Sequence, residues 1–81
     1  MDCTIGGQRC RLTRKGIEAR MEGVEPENVR CHGVRIGRRL YPVKQVIARS
    51  AGVSKADFNS HEARRVLRQL GFALVQLKIT V

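Results

Sequence analysis

Four basic side chains recur at helical spacing in the second half of the chain. They are His61, Arg64, Arg65 and Arg68, at positions i, i+3, i+4 and i+7. Residues at these spacings lie on one face of an α-helix. Clustered guanidinium groups neutralise phosphates, and each can donate two parallel hydrogen bonds to a guanine edge. The pattern therefore predicts a helix that binds a polyanion, with double-stranded DNA as the first candidate.

The same segment carries the end signals of an amphipathic helix. Its opposite face is apolar and consists of Ala63, Val66, Leu67 and Leu70. Asn59 or Ser60 can serve as the N-cap, and Gly71 follows where a left-handed residue ends many helices. Ser60 to Arg65, the N-terminal half, should lie nearest the bases if the helix enters a major groove.

A second helix is predicted just before it, from Pro42 at the first helical position to Ala51, with Gly52 as its end. Two helices joined by a glycine turn resemble a helix-turn-helix. The connection is long for that motif, and the spacing of Ser54 and Asp57 predicts a short helical turn within it. Three basic residues in this part are candidates for phosphate contacts or for ordinary solvated side chains: Lys44, Arg49 and Lys55.

The remaining segments predict strands around one further helix. Residues 3–12 form a hairpin turning at Gly6 and Gly7, and a helix capped by Thr13 follows to residue 21 or 22. Residues 29–36 and 38–41 form a second hairpin, and residues 72–81 form an apolar strand that should pair with the first hairpin, with another subunit, or with both. The expected fold is a single winged-helix-like α+β domain over residues 1–81, assembled as a homo-oligomer.

Charge is unevenly distributed along the chain. Residues 1–27 hold equal numbers of acidic and basic residues, whereas residues 28–81 hold eleven basic and two acidic ones and account for the whole formal net charge of +9. The second hairpin shares in this excess, and Arg38 and Arg39 are predicted to contact the DNA backbone. A solvated basic surface is the alternative. No stretch has the roughly 20 apolar residues of a membrane span or the core of a signal peptide, so we expect a cytoplasmic protein.

The sequence gives little support for catalysis or metal binding. His61 and Glu62 are neighbours on one helix and point in different directions, and the basic part has too few carboxylates for a nuclease centre. The three cysteines, Cys3, Cys10 and Cys31, form no close-spaced pair, which favours reduced thiols over a zinc site. We therefore expect a protein that is not an enzyme and holds no cofactor or metal.

Tyr41 and Pro42 stand where a strand meets a helix. An aromatic residue there is usually part of the core, but its ring could also contact a base or an added methyl or sulfur group. Tyr41 and Pro42 belong to a longer sequence pattern. Its residues in this chain are Gly37, Tyr41, Pro42, Lys44, Phe58, Ser60, Ala63, Leu67, Leu70, Gly71 and Phe72. This pattern resembles the small DNA-reading domains of modification-dependent HNH restriction enzymes, including the sulfur-binding domains that recognise phosphorothioate DNA.

The resemblance implies that Tyr41 and Pro42 line an apolar site for a modified group, with basic residues around it. Gln45 replaces a small residue of the family pattern and should crowd or polarise a sulfur site, and we expect no attached HNH nuclease. These departures favour 5-methylcytosine in a CpG context, or unmodified DNA, over phosphorothioate. Two alternatives stay open, namely an RNA-associated or ribosome-associated basic protein and a module that recruits a separate nuclease.

Overall fold

A computed structural model describes residues 1–77 of the chain. Within this range the elements follow one another as β1 (Asp2–Ile5), β2 (Gln8–Arg11), α1 (Arg14–Met21), β3 (His32–Ile36), β4 (Arg39–Pro42), α2 (Val43–Ala51), a 3-10 turn (Lys55–Asp57), α3 (Ser60–Gln69) and β5 (Ala73–Gln76). The strands form two antiparallel sheets. The protein is therefore a small α+β domain, as the sequence predicts.

The first sheet is the predicted hairpin of β1 and β2. Gly6 and Gly7 have positive φ angles of 57° and 80°, which side chains disfavour, so glycine suits this tight turn. Thr13 then caps α1 as predicted, because its hydroxyl accepts a hydrogen bond of 3.0 Å from the Gly16 N–H. The prediction of a hairpin followed at once by a capped helix is confirmed.

The second sheet has the strand order β4, β3, β5, with β3 in the centre. Val34 lies opposite Tyr41 on one side and opposite Leu74 on the other. The expectation that the last strand pairs with the first hairpin is wrong for the described part of that strand. β5 instead completes the sheet that β3 and β4 begin, and the Leu77 N–H extends the pairing by a hydrogen bond of 2.8 Å to the Cys31 carbonyl. The predicted continuation over residues 78–81 lies outside the described residues.

The starts of β3 and α2 differ from the predicted ones for a structural reason. β3 begins at His32 rather than Val29, because residues 22–31 form an irregular loop that leads from α1 to the sheet. Pro42 is the last residue of β4 and the N-cap of α2, with an extended ψ of 137°, so it is not the first helical residue. α2 then ends at Gly52 in the left-handed conformation, as predicted.

The core lies where the three helices pack against the two sheets. α2 contacts both α1 and α3, and α3 also contacts β1, β3 and β5. The buried apolar residues are Ile5, Leu12, Ile17, Met21, Val34, Tyr41, Val43, Val46, Ile47, Val53, Phe58, Ala63, Val66, Leu67 and Phe72. Among residues 1–77, no helix has both the length and the apolar character that crossing a membrane requires.

Candidate nucleic-acid interface

α3 presents its basic residues to solvent because its two ends and its apolar face are fixed. Asn59 is the N-cap, and its side-chain oxygen accepts a hydrogen bond of 2.9 Å from the Glu62 N–H. Gly71 follows the last turn with a φ of 87°. Ala63, Val66 and Leu67 are buried on the inner face, as the helical period predicts. The opposite face is therefore held outward.

The four predicted basic side chains of this face lie together. A surface depression of about 190 Å³ is lined by His61, Arg64, Arg65 and Arg68. Arg64 is half-buried and the other three are exposed. Within residues 1–77 the ion pairs involve other cations, and no carboxylate lies within ion-pair distance of these three arginines. Their positive charge is therefore available to an external anion.

Two further depressions continue from this one. Arg64 and Arg68 also line a depression of about 140 Å³ that reaches His32 and the strand β5. His32 in turn lines a third depression, of about 380 Å³, together with Pro42, Lys44, Lys55 and Ser60 among others. Because neighbouring depressions share lining residues, they form one surface, which we call the basic groove. It is defined by His32, Pro42, Lys44, Lys55, Ser60, His61, Arg64, Arg65 and Arg68.

The two lysines of the basic groove have only weak partners. Lys44 lies 5.4 Å from the centre of the Phe58 ring, and the Lys55 ammonium lies 2.8 Å from a Glu27 carboxylate oxygen. The side chains of this ion pair are about half exposed, and pairs of that kind contribute only about 0 to 1 kcal/mol. Both lysines can therefore exchange these contacts for a phosphate.

Three other predicted DNA contacts lie apart from the basic groove. Arg38 and Arg39 line a separate depression beside Glu18 of α1 and Glu22 just after it, at the turn of the second hairpin. Arg39 donates a hydrogen bond of 2.8 Å to the Val24 carbonyl. The basic groove also does not include Arg49, which is exposed in the last turn of α2. The sequence alone could not predict where these three residues lie relative to α3, because that position depends on the whole fold.

Tyr41 is a core residue and not an exposed ring. Its side chain is 2% exposed, and its hydroxyl lies 3.1 Å from the Met21 carbonyl and 2.9 Å from the Val24 carbonyl. The expected contact of this ring with a base or a modified group is therefore incompatible with its position. Pro42, the other half of the motif, is half-buried and does line the basic groove.

Gln45 has a structural role that the sequence did not reveal. It is 6% exposed, its amide donates a hydrogen bond of 2.9 Å to the Glu25 carbonyl, and it accepts one of 2.9 Å from the Glu27 N–H. These contacts hold the loop of residues 22–31, which forms one wall of the basic groove. The helical period places Gln45 opposite Val43, away from the apolar face of α2. Periodicity therefore does not predict that Gln45 is buried.

A metal centre finds no support in the part of the chain that the structure describes. No three side chains of histidine, cysteine, aspartate or glutamate come together there as a ligand set. The arrangement of the basic groove instead suits the binding of an extended anion, because its charged groups follow one another along the surface.

Comparison with known proteins gives a family for the chain. No curated protein and no solved structure matches it. The family model described as SCO5918-like matches residues 1–80, which is nearly the whole sequence. The chain therefore belongs to the SCO5918-like family.

Proposed function

We propose that this protein is a non-catalytic, winged-helix-like domain that binds double-stranded DNA with α3 in the major groove. The observation that carries the proposal is the continuity of the basic groove, in which Arg64 and Arg68 join the exposed face of α3 to His32 and the sheet. A B-DNA major groove is about 12 Å wide and admits one α-helix. A helix with cations along its outer face, flanked by further cations, matches that groove and its phosphates.

The positions of the side chains in the basic groove suggest which of them contact bases and which contact phosphates. Ser60, His61 and Arg64 belong to the N-terminal half of α3, which lies nearest the base edges when such a helix docks. Arg65, at the end of that half, and Arg68, one turn further along, contact phosphates or guanine edges. The lysines of the basic groove contact the phosphates of the neighbouring strand.

The first modification to test is 5-methylcytosine in a CpG context. Its methyl group would lie against Pro42 in the basic groove, since Tyr41 is buried. Burial of one methyl or methylene group is worth about 0.8 kcal/mol, so we expect a preference of about fourfold over unmodified DNA.

The aromatic residues favour a duplex over single-stranded RNA. Proteins that read unpaired bases stack them on exposed aromatic rings. The aromatic residues of this chain, Tyr41, Phe58 and Phe72, are only 2%, 6% and 6% exposed. We therefore do not propose binding of single-stranded RNA, and an RNA duplex serves as the control in the experiment.

We also propose that two copies bind together. Within residues 1–77, β5 pairs with β3 along one edge only, so its other edge is open to a second chain. A symmetric pair would place two α3 helices on half-sites about 34 Å apart, one turn of DNA. Sedimentation of the protein with and without a duplex tests this, and a monomer in both conditions refutes it.

The first experiment is a gel-shift titration at near-physiological salt. Matched duplexes are unmodified, CpG-methylated or phosphorothioated, with an RNA duplex alongside. We expect binding to DNA duplexes in preference to RNA, with the methylated duplex bound most tightly. Equal affinity for all four would reject DNA recognition, and equal affinity for the three DNA duplexes would reject reading of a modification.

The matched variants are Arg64→Ala in the basic groove and Arg20→Ala on α1. Both remove one charge from an exposed or half-exposed helical position. Arg64→Ala is expected to weaken DNA binding by about 1 to 3 kcal/mol if the side chain reads a base. Arg20→Ala should have a much smaller effect, and equal effects would contradict the assignment of α3 to the interface.

A further inference from the structure

Two cysteines face each other across the first hairpin. Cys3 of β1 lies directly opposite Cys10 of β2 in the antiparallel register. Side chains of directly opposed residues lie on the same face of a two-stranded sheet. Both thiols line a shallow depression of about 390 Å³, and neither is fully buried. An oxidant can therefore reach both sulfur atoms.

The backbone pairing defines the spacing of these two residues. Met1 and Leu12 exchange two hydrogen bonds of 2.8 and 2.7 Å at the open end of the hairpin. Hydrogen-bonded and non-hydrogen-bonded pairs alternate along such a ladder, so the Cys3 and Cys10 pair is also hydrogen-bonded. The Cα atoms of such a pair are about 5.5 Å apart, which is within the range of disulfides.

The same geometry indicates a bond that is easily reduced. In a hydrogen-bonded cross-strand pair, the distance between the two Cβ atoms lies near the upper end of the usual range of about 4.5 to 5.5 Å. In a relaxed disulfide the Cβ atoms are only about 3.8 Å apart. Closing that gap strains the hairpin, and strained disulfides are more readily reduced. The bond would close only the short hairpin loop, so it would restrict the unfolded chain little. A reversible bond fits these features better than a permanent cross-link.

Cys3 is also linked to α3. β1, the strand that carries Cys3, packs against α3. Burial raises the pKa of Cys3 most and Cys10 and Asp2 raise it further, whereas the N-terminal ammonium and, least of these groups, the Arg65 guanidinium lower it. A movement of Cys3 toward β2 therefore shifts a strand that packs against α3.

We propose that Cys3 and Cys10 form a reversible dithiol and disulfide pair whose state is transmitted to α3, against which β1 packs. With glutathione disulfide as the oxidant, one cysteine thiolate attacks a glutathione sulfur and releases one glutathione thiol. The second cysteine thiolate then attacks the mixed disulfide and releases the second glutathione. The protein loses two electrons and two protons, and two glutathione thiols are formed. This chemistry does not depend on DNA binding.

The test uses the full chain with Cys31→Ser, which removes the third, exposed thiol. The protein is equilibrated in buffers of rising glutathione disulfide, quenched with acid and alkylated, and its intact mass is measured. We expect a monomer that has lost two hydrogen atoms, takes up no alkylating agent and recovers both thiols with dithiothreitol. Two alkylatable thiols, or stable glutathione adducts, under fully oxidising conditions would overturn the proposal.

Two comparisons complete the experiment. Adding Cys10→Ser should leave only a glutathione adduct at Cys3, because the second thiolate is missing. Amide spectra of the oxidised and reduced forms should differ in α3 and much less at the C-terminal end of α1. Unchanged α3 resonances in fully oxidised protein would refute the transmission to α3.

Discussion

Replacing Arg64, Arg65 and Arg68 together by alanine is expected to remove much of the salt dependence of DNA binding. All three line the basic groove, and within the described residues none forms an ion pair. An arginine that neutralises one phosphate contributes about 0.9 to the slope of log affinity against log salt concentration, so three contribute about 2.7. Between about 50 and about 200 mM salt that slope corresponds to about a 40-fold loss of affinity.

The triple variant should lack this 40-fold component. It should also fold, because alanine is the best helix former and the buried face of α3 is unchanged. Fluorescence anisotropy of a labelled duplex at four salt concentrations gives the slope, and a thermal melt checks the fold.

The control for this variant has the same change in net charge at a different place. Arg9, Lys15 and Arg20 are exposed and do not belong to the basic groove. Their triple alanine variant should keep nearly the full slope. If both variants lose the same part of the slope, net charge and not the groove governs binding, and the proposed docking of α3 is refuted.

Three further predictions concern residues that hold the scaffold. Tyr41→Phe should lower the free energy of unfolding by about 0.5 to 1.5 kcal/mol in urea denaturation, since the hydrogen bonding of the buried hydroxyl to the Met21 and Val24 carbonyls is lost while both carbonyls keep another donor, and should leave DNA affinity unchanged. Lost affinity at unchanged stability would restore a direct role for the ring. Gln45→Leu should lower stability by about 1 to 3 kcal/mol and speed hydrogen exchange in residues 22–31, and unchanged exchange would contradict its anchoring role. Gly6→Ala should lower the melting temperature more than Gly7→Ala, because a Cβ at Gly6 would lie 2.9 Å from a backbone carbonyl of the 3-10 turn and one at Gly7 meets open space. Equal melting temperatures would show that this contact is not tight.

The parts of the fold that local chemistry determines could be predicted from the sequence. Asn59 and Gly71 delimit α3, and Thr13 begins α1, because caps and glycine turns act over a few residues. The partner of β5 could not be predicted, since an apolar strand pairs equally well with any exposed edge until the other elements are placed. The alternation of residues along β5 carries no information on that choice.

The candidate site was predictable to a similar extent. The basic face of α3 follows from helical spacing alone, and the structure brings those four side chains together. Burial of Tyr41 depends on the loop that covers it, and no local pattern predicts how an irregular loop folds. The burial of Gln45 has the same origin, because the loop, and not the helix, encloses its amide.

The way in which the loop of residues 22–31 is held has a consequence for how the surface of the basic groove can vary. Arg39, Tyr41 and Gln45 hold the loop and the end of α1 through backbone atoms, namely carbonyl oxygens and one N–H. Backbone groups are the same whatever the side chain, so the wall of the groove can change its residues while its path is kept. Substitution within this loop is therefore a route by which the surface beside the basic groove can change on one unchanged core.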